Sequence, residues 1–479
     1  MERKHPLIVY NTLSRSMEEL RPIEKGRVSM FVCGQTVYDD AHLGHAKNYI
    51  NFDIIARWIR HLGYDLTYAQ SITDVDDKII ARAAERGMEP IELAREYEKR
   101  FFDDMQRLGV KENVSRYLRS HDYIENIKKQ IQLLLDKGYA YPIEQDIYYD
   151  VSQFEDYTKL SGMKLDELEK HRIEPKEGKR NPYDFALWKG AKKGEPSWEI
   201  ELEIDGKMSK FAGRPGWHIE DTAMTWALFG EQYDIHGGAK ELIFPHHTNE
   251  IAQAEAAFGK KPFVRYWLHS GVLTIKGQKM SKSLKNFITI RDALSKFDPE
   301  VLRVFVASTQ YSNEISYDEN LMKEAEKKLH YLYSSMSAFY NLKTTAGKPR
   351  SGLDAIIAKF KEDFENAMND NFNTPLALSR LIEAAGYLRE AAETSAIITK
   401  EEKGNAIEAV KECSGILGVL GKETYKSALP EGAGKLIKER DRLRKEKKFK
   451  EADAIRERLK NEFRIGIDDS EFGTIWHYI

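Results

Sequence analysis

The chain has 479 residues, of which 41% are hydrophobic and 32% charged, and its formal net charge is −3. This length predicts two to four domains, and the composition is that of a soluble globular protein, because no apolar run approaches the roughly 18 residues that a membrane helix needs. Two cysteines, Cys33 and Cys413, exclude a disulfide framework and indicate a reducing compartment. The first residues lack the apolar stretch of a secretory signal, so we expect a cytoplasmic protein.

Alternating strands and helices are predicted for the first 150 residues. An apolar strand at residues 28–32 is followed by a helix with an apolar face that ends at Gly63, and a second strand occupies residues 66–72. We expect the next helix to open at Thr73-Asp74, with Asp74, Asp76 and Asp77 capping its first turn. Strand–helix–strand at this spacing is typical of the opening unit of a nucleotide-binding parallel sheet.

The middle of the chain, about residues 120–205, is mixed and rich in Lys, Glu, Gly and Pro, which favours an insertion. A second α/β half follows at about 213–298. We therefore expect residues 1–320 to form an α/β domain with a Rossmann-like parallel sheet split by that insertion.

The remainder of the chain has a helical pattern. Helices are predicted at residues 321–342, 353–368, 375–394 and 400–420. These helices should form a bundle over residues 321–425, before a linker at 427–434. In the C-terminal region, residues 426–479, a charged helical pair contains a stretch (435–464) with 13 Lys/Arg against 7 Asp/Glu, which is locally basic.

His42-Leu43-Gly44-His45 stands at the predicted start of the first helix. Two imidazoles three residues apart share one helix face, beside unpaired backbone N–H groups that attract phosphate. With no side chain, Gly44 would let a nucleotide lie close to the backbone. Surface or helix-capping histidines would give the same string, and the residues alone leave both interpretations open.

A second motif, Lys279-Met280-Ser281-Lys282-Ser283, follows about 235 residues later. Two lysines on a loop of small residues supply mobile positive charges that suit a triphosphate. Most lysine-rich loops are merely solvated, but the pairing of these two motifs is similar to the signature of class I aminoacyl-tRNA synthetases. A near-duplicate at residues 207–210 lacks the final serine, and we assign it to an inserted hairpin or loop.

Cys33, Asp221, His246 and Glu250 have the chemistry of metal ligands. On a helix, His246 and Glu250 would share one face, since they are four residues apart. Thiolate, imidazole and carboxylate together suit zinc. A lone cysteine is more often a core residue and buried histidines are often polar core, so this pattern alone decides nothing. The HExxH arrangement of zinc hydrolases is missing.

Over essentially its full length the chain resembles the cysteinyl-tRNA synthetase family, a class I aminoacyl-tRNA synthetase family. The matching stretches include IVYNTLSRS, FVCGQTVYDDAHLGHAKNY, ITDVDDKII, GRPGWHIED, YDIHGG, FPHHTNEIAQAEA, KMSKSLKNF and FENAMNDNFNTPLALSRL. Such a resemblance implies that the enzyme activates cysteine with ATP and Mg²⁺ to cysteinyl-adenylate and transfers cysteine to the 3′-terminal adenosine of tRNA(Cys).

The same resemblance implies one Zn²⁺ per chain, which binds the substrate's sulfur through ligands at Cys33, position 221, His246 and Glu250. Most members have cysteine at position 221. Asp221 would either ligate the ion directly or leave it with three protein ligands. Gln35, where proline is usual, and Glu241, where aspartate is usual, are lesser departures.

Roles for further residues also follow from the resemblance. His42, His45, Lys279 and Lys282 would be catalytic and, with Gly44, would bind ATP. Thr73, Trp217 and Glu241 would bind the amino acid, although Trp217 could equally be a core aromatic residue.

The resemblance further implies that the helical bundle binds tRNA and that the C-terminal region reads the anticodon, with Trp476 offering a stacking surface. The predicted enzyme is a monomer without an editing domain. One alternative is a ligase that couples cysteine to a small amine, which would not need the bundle and tail. Another alternative is a non-catalytic, zinc-stabilised RNA-binding paralogue. It predicts degraded HLGH or KMSKS motifs, whereas both are intact in this sequence.

Overall fold

A computed structural model describes residues 5–163, 176–280, 286–345, 352–394, 397–426, 429–430, 432–470 and 473–478. Within these ranges the structure describes only the backbone of seven residues: Lys279, Asp468, Ser470, Gly473, Ile475, His477 and Tyr478. Of the second predicted motif, Ser281, Lys282 and Ser283 therefore lie outside the described residues, as does the side chain of Lys279. None of the described helices is long and apolar enough to span a membrane.

Strands and helices alternate in the N-terminal part, as predicted. Its elements are β1 (Ile8–Asn11), β2 (Ser16–Glu19), β3 (Arg27–Thr36), α1 (Leu43–His61), β4 (Asp65–Thr73), α2 (Asp77–Arg86), α3 (Pro90–Arg107), β5 (Arg116–Arg119) and α4 (Ile124–Asp136).

Helix α2 begins later than the predicted opening at Thr73-Asp74. Strand β4 continues to Thr73, which pairs with Thr36 of β3, so the helix can start only after an intervening turn. Asp76 is the N-cap, because its Oδ1 accepts a hydrogen bond from the Lys78 backbone N at 2.8 Å. The predicted capping role of Asp74 is wrong, since its carboxylate pairs with His121.

An antiparallel sheet is inserted next. Its strands are β6 (Ala140–Ile143), β7 (Asp146–Tyr149), β8 (Phe185–Gly190), β9 (Trp198–Ile204) and β10 (Lys207–Pro215), in the spatial order β6-β7-β8-β10-β9. The near-duplicate motif at residues 207–210 begins β10 and pairs with β9. Its assignment to an inserted hairpin is confirmed.

The second α/β half completes the parallel sheet and adds a small sheet beside it. Its elements are α5 (Ile219–Phe229), β11 (Tyr233–Ala239), α6 (Thr248–Phe258), β12 (Val264–Ser270), β13 (Leu273–Ile275), β14 (Gln278–Lys279), α7 (Ile290–Lys296), α8 (Pro299–Ala307) and β15 (Ile315–Tyr317). Strands β14, β13 and β15 form the small sheet.

All the pairings in the main sheet are parallel, in the order β12-β11-β3-β4-β5. Strand β3 is central, with the strand that follows it in the chain on one side and the strands of the second half on the other. This is a topological switch point, and ligands of open α/β sheets bind beyond the carboxyl ends of the strands at such a point.

Helix α1 is buried on more than its apolar face. Ile50, Ile54, Ile55, Trp58 and Ile59 are buried as the periodicity predicts. The same helix also buries Lys47, Asn51 and Asp53. Sequence periodicity does not reveal this second set, because their polar partners come from distant parts of the chain.

Four helices follow, as predicted: α9 (Glu319–Tyr340), α10 (Leu353–Asn369), α11 (Thr374–Glu393) and α12 (Lys400–Leu417). A smaller C-terminal unit ends the chain and consists of α13 (Ala433–Lys445), α14 (Phe449–Phe463) and the antiparallel hairpin β16 (Ile465–Ser470) and β17 (Gly473–Tyr478). Helix α12 ends before the predicted residue 420 because Gly418 adopts a left-handed conformation, φ 70°, at its C-cap. The string Gly432-Ala433-Gly434 favoured a linker in the prediction, but helix α13 begins inside that stretch, at Ala433.

Candidate functional site

A pocket of about 420 Å³ lies at the carboxyl ends of the parallel strands. Thr36 and Thr73 at the ends of β3 and β4 line it, as do Ala239 and Ser270 at the ends of β11 and β12. The sequence-predicted residues that line the pocket are Cys33, His42, Gly44, His45, Thr73, Trp217, Asp221, Glu241 and His246. Glu250 is fully buried, within ligand distance of the Cys33, Asp221 and His246 side chains.

His42 and His45 cap helix α1 with their own side chains. His42 is the N-cap residue, and its Nδ1 accepts a hydrogen bond from the Gly44 backbone N at 3.0 Å. His45 Nδ1 accepts from the His42 backbone N at 3.3 Å, which completes a reciprocal capping box. The two rings stack with their centroids 3.9 Å apart. The capping interpretation is therefore confirmed, and it leaves both rings lining the pocket.

Capping also fixes which nitrogen of each neutral ring carries the proton. An Nδ1 atom that accepts a backbone N–H bond has no proton, so the proton is on Nε2. Burial is the main cause that holds the pKa of His45 well below its ordinary value, with smaller effects from His42 and Lys78. His45 is therefore neutral at pH 7, and both rings offer Nε2–H donors, which suit phosphate oxygens.

Gly44 lines the pocket, where its approach to a nucleotide stays a prediction, and it also has a structural role. A Cβ atom at this position would lie 2.8 Å from His42 Cε1 and 2.9 Å from His42 Nδ1. The missing side chain therefore makes room for the capping ring of His42. The same Cβ would lie 3.4 Å from Met280 Cε, so Met280 reaches the start of α1.

The two motifs that are distant in sequence meet at the pocket. Met280 lines it, and the Phe287 ring packs edge-on against His42 at 5.3 Å between centroids. The Leu43 backbone N donates to Ile288 O at 3.1 Å, and the Ile290 backbone N donates to Ala41 O at 2.8 Å. The described residues on both sides of the undescribed segment 281–285 are thereby held at the start of α1.

Cys33, Asp221, His246 and Glu250 form a buried cluster, as the sequence predicts. One potential ligand atom from each lies within 4.8 Å of the others. His246 Nε2 is 3.1 Å from Asp221 Oδ2 and 3.0 Å from Glu250 Oε1. Strand β3 supplies Cys33, α5 supplies Asp221, and the turn leading into α6 supplies His246.

The electrostatics of this cluster favour a bound cation. Burial, followed by the charges of Asp221 and Glu250, raises the pKa of the Cys33 thiol well above its usual range. Burial and Asp221 raise the pKa of Glu250 in the same way. Three acidic groups taken out of water together are costly when ionised, and a divalent cation reverses that cost because it stabilises thiolate and carboxylate.

Unsatisfied carboxylate oxygens test whether the cluster fits a metal. Asp221 Oδ1 and both Glu250 oxygens are buried and accept no hydrogen bond from the described residues. Although Glu250 Oε1 is 3.0 Å from His246 Nε2, the two are not aligned for a hydrogen bond. Orphaned buried carboxylate oxygens beside a thiol and an imidazole are ligands that zinc accepts, so the donor set fits zinc.

Two histidines beside the cluster were not predicted as site residues. His236 and His247 form a second set of potential ligand atoms with Cys33 and Glu250. Their Nε2 atoms lie 3.3 Å and 3.2 Å from Cys33 Sγ. The two sets share Cys33 and Glu250.

Contacts behind the two rings fix their orientation. His236 Nδ1 is 2.5 Å from the Tyr233 hydroxyl, and His247 Nδ1 is 2.8 Å from His269 Nε2. Such outer contacts orient metal ligands and their neighbours. A sequence signal for His236 did exist: it is an ionisable residue within β11, a parallel strand buried almost throughout, where apolar residues are the norm.

The three residues predicted to bind the amino acid differ in exposure. Trp217 is 38% exposed and stacks on His246, with ring centroids 4.5 Å apart. Its alternative interpretation as a core aromatic residue is therefore wrong. Thr73 is buried at the end of β4, and Glu241 is exposed just after β11.

Comparisons with known proteins extend over nearly the whole chain. Residues 19–327 match the family model "tRNA synthetases class I (C) catalytic domain", and residues 363–421 match the DALR domain. Proteins named cysteine–tRNA ligase from Thermococcus gammatolerans and Carboxydothermus hydrogenoformans are 42% and 40% identical to the chain, each covering 98% of it and 99% of the relative. The one from Azotobacter vinelandii is 41% identical and covers 99% of both.

Solved structures show the same fold at low sequence identity. Mycobacterium tuberculosis methionyl-tRNA synthetase in complex with methionyl-adenylate has a TM-score of 0.59 at 17% identity, covering 82% of this chain and 89% of that one. The parallel sheet and the helices after it are thus a recurring architecture.

Proposed function

Because the chain belongs to the cysteine–tRNA ligase family of class I aminoacyl-tRNA synthetases, we propose that it activates cysteine with ATP and transfers it to the 3′-terminal adenosine of tRNA(Cys). One observation carries this proposal: a single pocket is lined both by the His42–His45 pair and by the sulfur- and carboxylate-containing cluster around His246. The first suits a phosphate, and the second suits a metal that recognises a thiol.

Activation joins the carboxylate of the amino acid to the α-phosphorus of ATP and expels pyrophosphate. The Nε2–H groups of His42 and His45 would donate to phosphate oxygens and stabilise charge as it develops there. Lys279 and Lys282 are proposed to neutralise the leaving pyrophosphate together with the Mg²⁺ that accompanies ATP. Positioning and electrostatic stabilisation account for most catalysis in phosphoryl transfer, so these donors need no covalent role.

Selection of cysteine over serine is the second task of the site. Cys33, Asp221, His246 and Glu250 would hold one zinc ion. Bound there, zinc would favour a thiolate, which it binds far better than an alcohol. A pocket that relied on shape alone would separate two such similar side chains by only about 10–200-fold. Orphaned carboxylate oxygens on Asp221 and Glu250 support direct ligation by Asp221.

Other pocket residues would orient the amino acid. Trp217 lies against His246, so its indole would cover the bound side chain and exclude water. Thr73 and Glu241 are proposed to bind the α-amino group, since both line the pocket and carry oxygen acceptors.

Transfer to RNA would use the rest of the chain. The bundle that contains the DALR match and the basic C-terminal region are proposed to bind the tRNA, with the latter reading the anticodon. Support for an RNA acceptor, and against a small amine, comes from relatives that cover 98–99% of the chain, bundle and tail included.

A charging assay tests this function. Purified protein is incubated with labelled cysteine, ATP, Mg²⁺ and either a tRNA(Cys) transcript or a tRNA transcript for another amino acid. The proposal predicts acid-precipitable cysteine only with tRNA(Cys). Formation of a small cysteine amide from added amines, with no labelled tRNA, would favour the amine ligase instead.

A further inference from the structure

Among the described residues that line the pocket, Lys78 alone has a lysine or arginine side chain. It was not among the residues predicted from the sequence. The lining also includes the carboxyl groups of Asp221 and Glu241. Both proposed substrates, a carboxylate and a triphosphate, are anions, so a cation beside them lowers the repulsion that their approach creates.

The start of the Lys78 side chain is held by two anchors. Lys78 is the second residue of α2, and its backbone N donates to the N-cap carboxylate of Asp76 at 2.8 Å. The preceding residue, Asp77, pairs with Lys189 Nζ at 3.0 Å and with the buried guanidinium of Arg214. The backbone at Lys78 is therefore fixed, while its exposed side chain keeps the freedom to meet a ligand.

Neighbours of the ammonium group belong to the same pocket. Lys78 Nζ is 5.5 Å from the ring centroid of Tyr38, which also lines the pocket. The positive charge of Lys78 is close enough to His45 to contribute to the lowered pKa of that ring. Lys78, Tyr38 and His45 thus line one pocket, the one assigned above to the phosphates.

We propose that Lys78 is a further catalytic residue of the activation step, and that its ammonium group binds the amino-acid carboxylate and the α-phosphate together as they react. This inference rests on the proposed function. In that step a carboxylate oxygen forms a bond to the α-phosphorus, the bond from that phosphorus to the bridging oxygen breaks, and pyrophosphate leaves with the electron pair. Lys78 neither gives nor takes a proton; it stabilises negative charge by position.

Lysine-to-glutamine variants provide the test, with Lys99→Gln as the matched control because Lys99 is an exposed lysine of α3 outside the pocket. Cysteine-dependent pyrophosphate exchange is measured for the wild type, Lys78→Gln, Lys78→Arg and Lys99→Gln. We expect Lys78→Gln to lower kcat by about tenfold or more, as loss of a charge-stabilising donor does. Lys78→Arg keeps the charge and should recover part of the rate, and Lys99→Gln should match the wild type.

A single-turnover measurement then separates activation from transfer. Adenylate formation is followed by rapid quench, and transfer to tRNA is followed from preformed adenylate. Slow formation with normal transfer supports the inference. Normal formation, or a defect confined to transfer, overturns it. Failure of the wild type to activate cysteine at all would instead overturn the proposed function, so the two failures are distinguishable.

Discussion

Asp53 and Arg303 form a buried ion pair that joins α1 to α8. The same guanidinium donates from Nε to Leu417 O and from Nη1 to Leu108 O, each at 3.0 Å. Helix α1 carries the histidine pair at its first residues, and Leu417 ends the last helix of the bundle. Arg303 therefore ties α1, through Asp53, to the last helix of the bundle, through Leu417.

Removal of one partner of this pair should destabilise the protein strongly. Asp53→Asn leaves Arg303 buried without a counter-charge, so we expect a loss of about 3–5 kcal/mol in the free energy of unfolding. Urea titration followed by circular dichroism measures it. Asp156→Asn is the control, because Asp156 pairs with Lys261 at the surface, where such pairs contribute about 0–1 kcal/mol. Equal losses in the two variants would contradict this account.

A substitution at His42 can separate its two roles. Asparagine is a good N-cap residue, so His42→Asn should keep helix α1 capped and leave Tm close to that of the wild type. It lacks the Nε2–H donor, and we expect pyrophosphate exchange to fall by about 10²-fold.

Alanine at the same position provides the comparison. His42→Ala loses both roles, and the missing cap should cost about 1 kcal/mol of stability in addition. If His42→Asn exchanged pyrophosphate at the wild-type rate, the histidine would be only a helix cap.

Lys47 should make stability depend on pH. Its Nζ donates to Gly271 O at 2.6 Å and to Tyr311 O at 3.1 Å. Burial lowers the pKa of Lys47 to about 7 from its ordinary 10.5. Below pH 7 both the folded and the unfolded chain hold the proton, and the cost of burying the charge is fully present. Between about pH 7 and pH 10 only the unfolded chain holds it, so stability rises with pH.

Comparison with Lys47→Met isolates this contribution. Urea titrations of both proteins from pH 6 to pH 10 should show the wild type gaining stability relative to the variant above pH 7. A difference that stays constant, or that falls as the pH rises, would contradict the assignment.

Loss of the C-terminal unit should affect charging and spare activation. Truncation after Lys426 keeps Tyr425, which is buried against the bundle. It removes the hairpin that receives a hydrogen bond from Arg389 at Thr474 O, 2.8 Å. We expect pyrophosphate exchange to persist and tRNA charging to fall sharply. Equal charging by the truncated protein would refute a role in RNA recognition.

How far the sequence predicts this site depends on the range of each contact. The His42–His45 pair and the His246–Glu250 pair are local, so their short separations along the chain predict that the members of each pair lie close together. Asp53 could not be read as buried, since its partner Arg303 is 250 residues away. The start of α2 was misplaced for a related reason: Asp74 resembles a cap, but its carboxylate is taken by His121.

The cluster around Cys33 shows the same limit. Cys33 and Asp221 are individually unremarkable in sequence: their chemistry suits a metal beside His246, but that pattern alone decided nothing until the resemblance assigned them as ligands. His236 and His247 reach Cys33 Sγ through sheet pairing and a helical turn that no local pattern encodes. Lys78 was missed because one exposed lysine at a helix start is indistinguishable from a solvated one.

Metal content measured beside amino-acid activation tests the central claim most directly. Wild-type protein and the variants Cys33→Ser and Cys413→Ser are assayed for bound zinc and for pyrophosphate exchange with cysteine and with serine, before and after chelation. We predict about one zinc per chain in the wild type and in Cys413→Ser, little in Cys33→Ser, and cysteine-dependent exchange that disappears with the metal. Metal-free protein that activated cysteine and serine equally well would contradict the account.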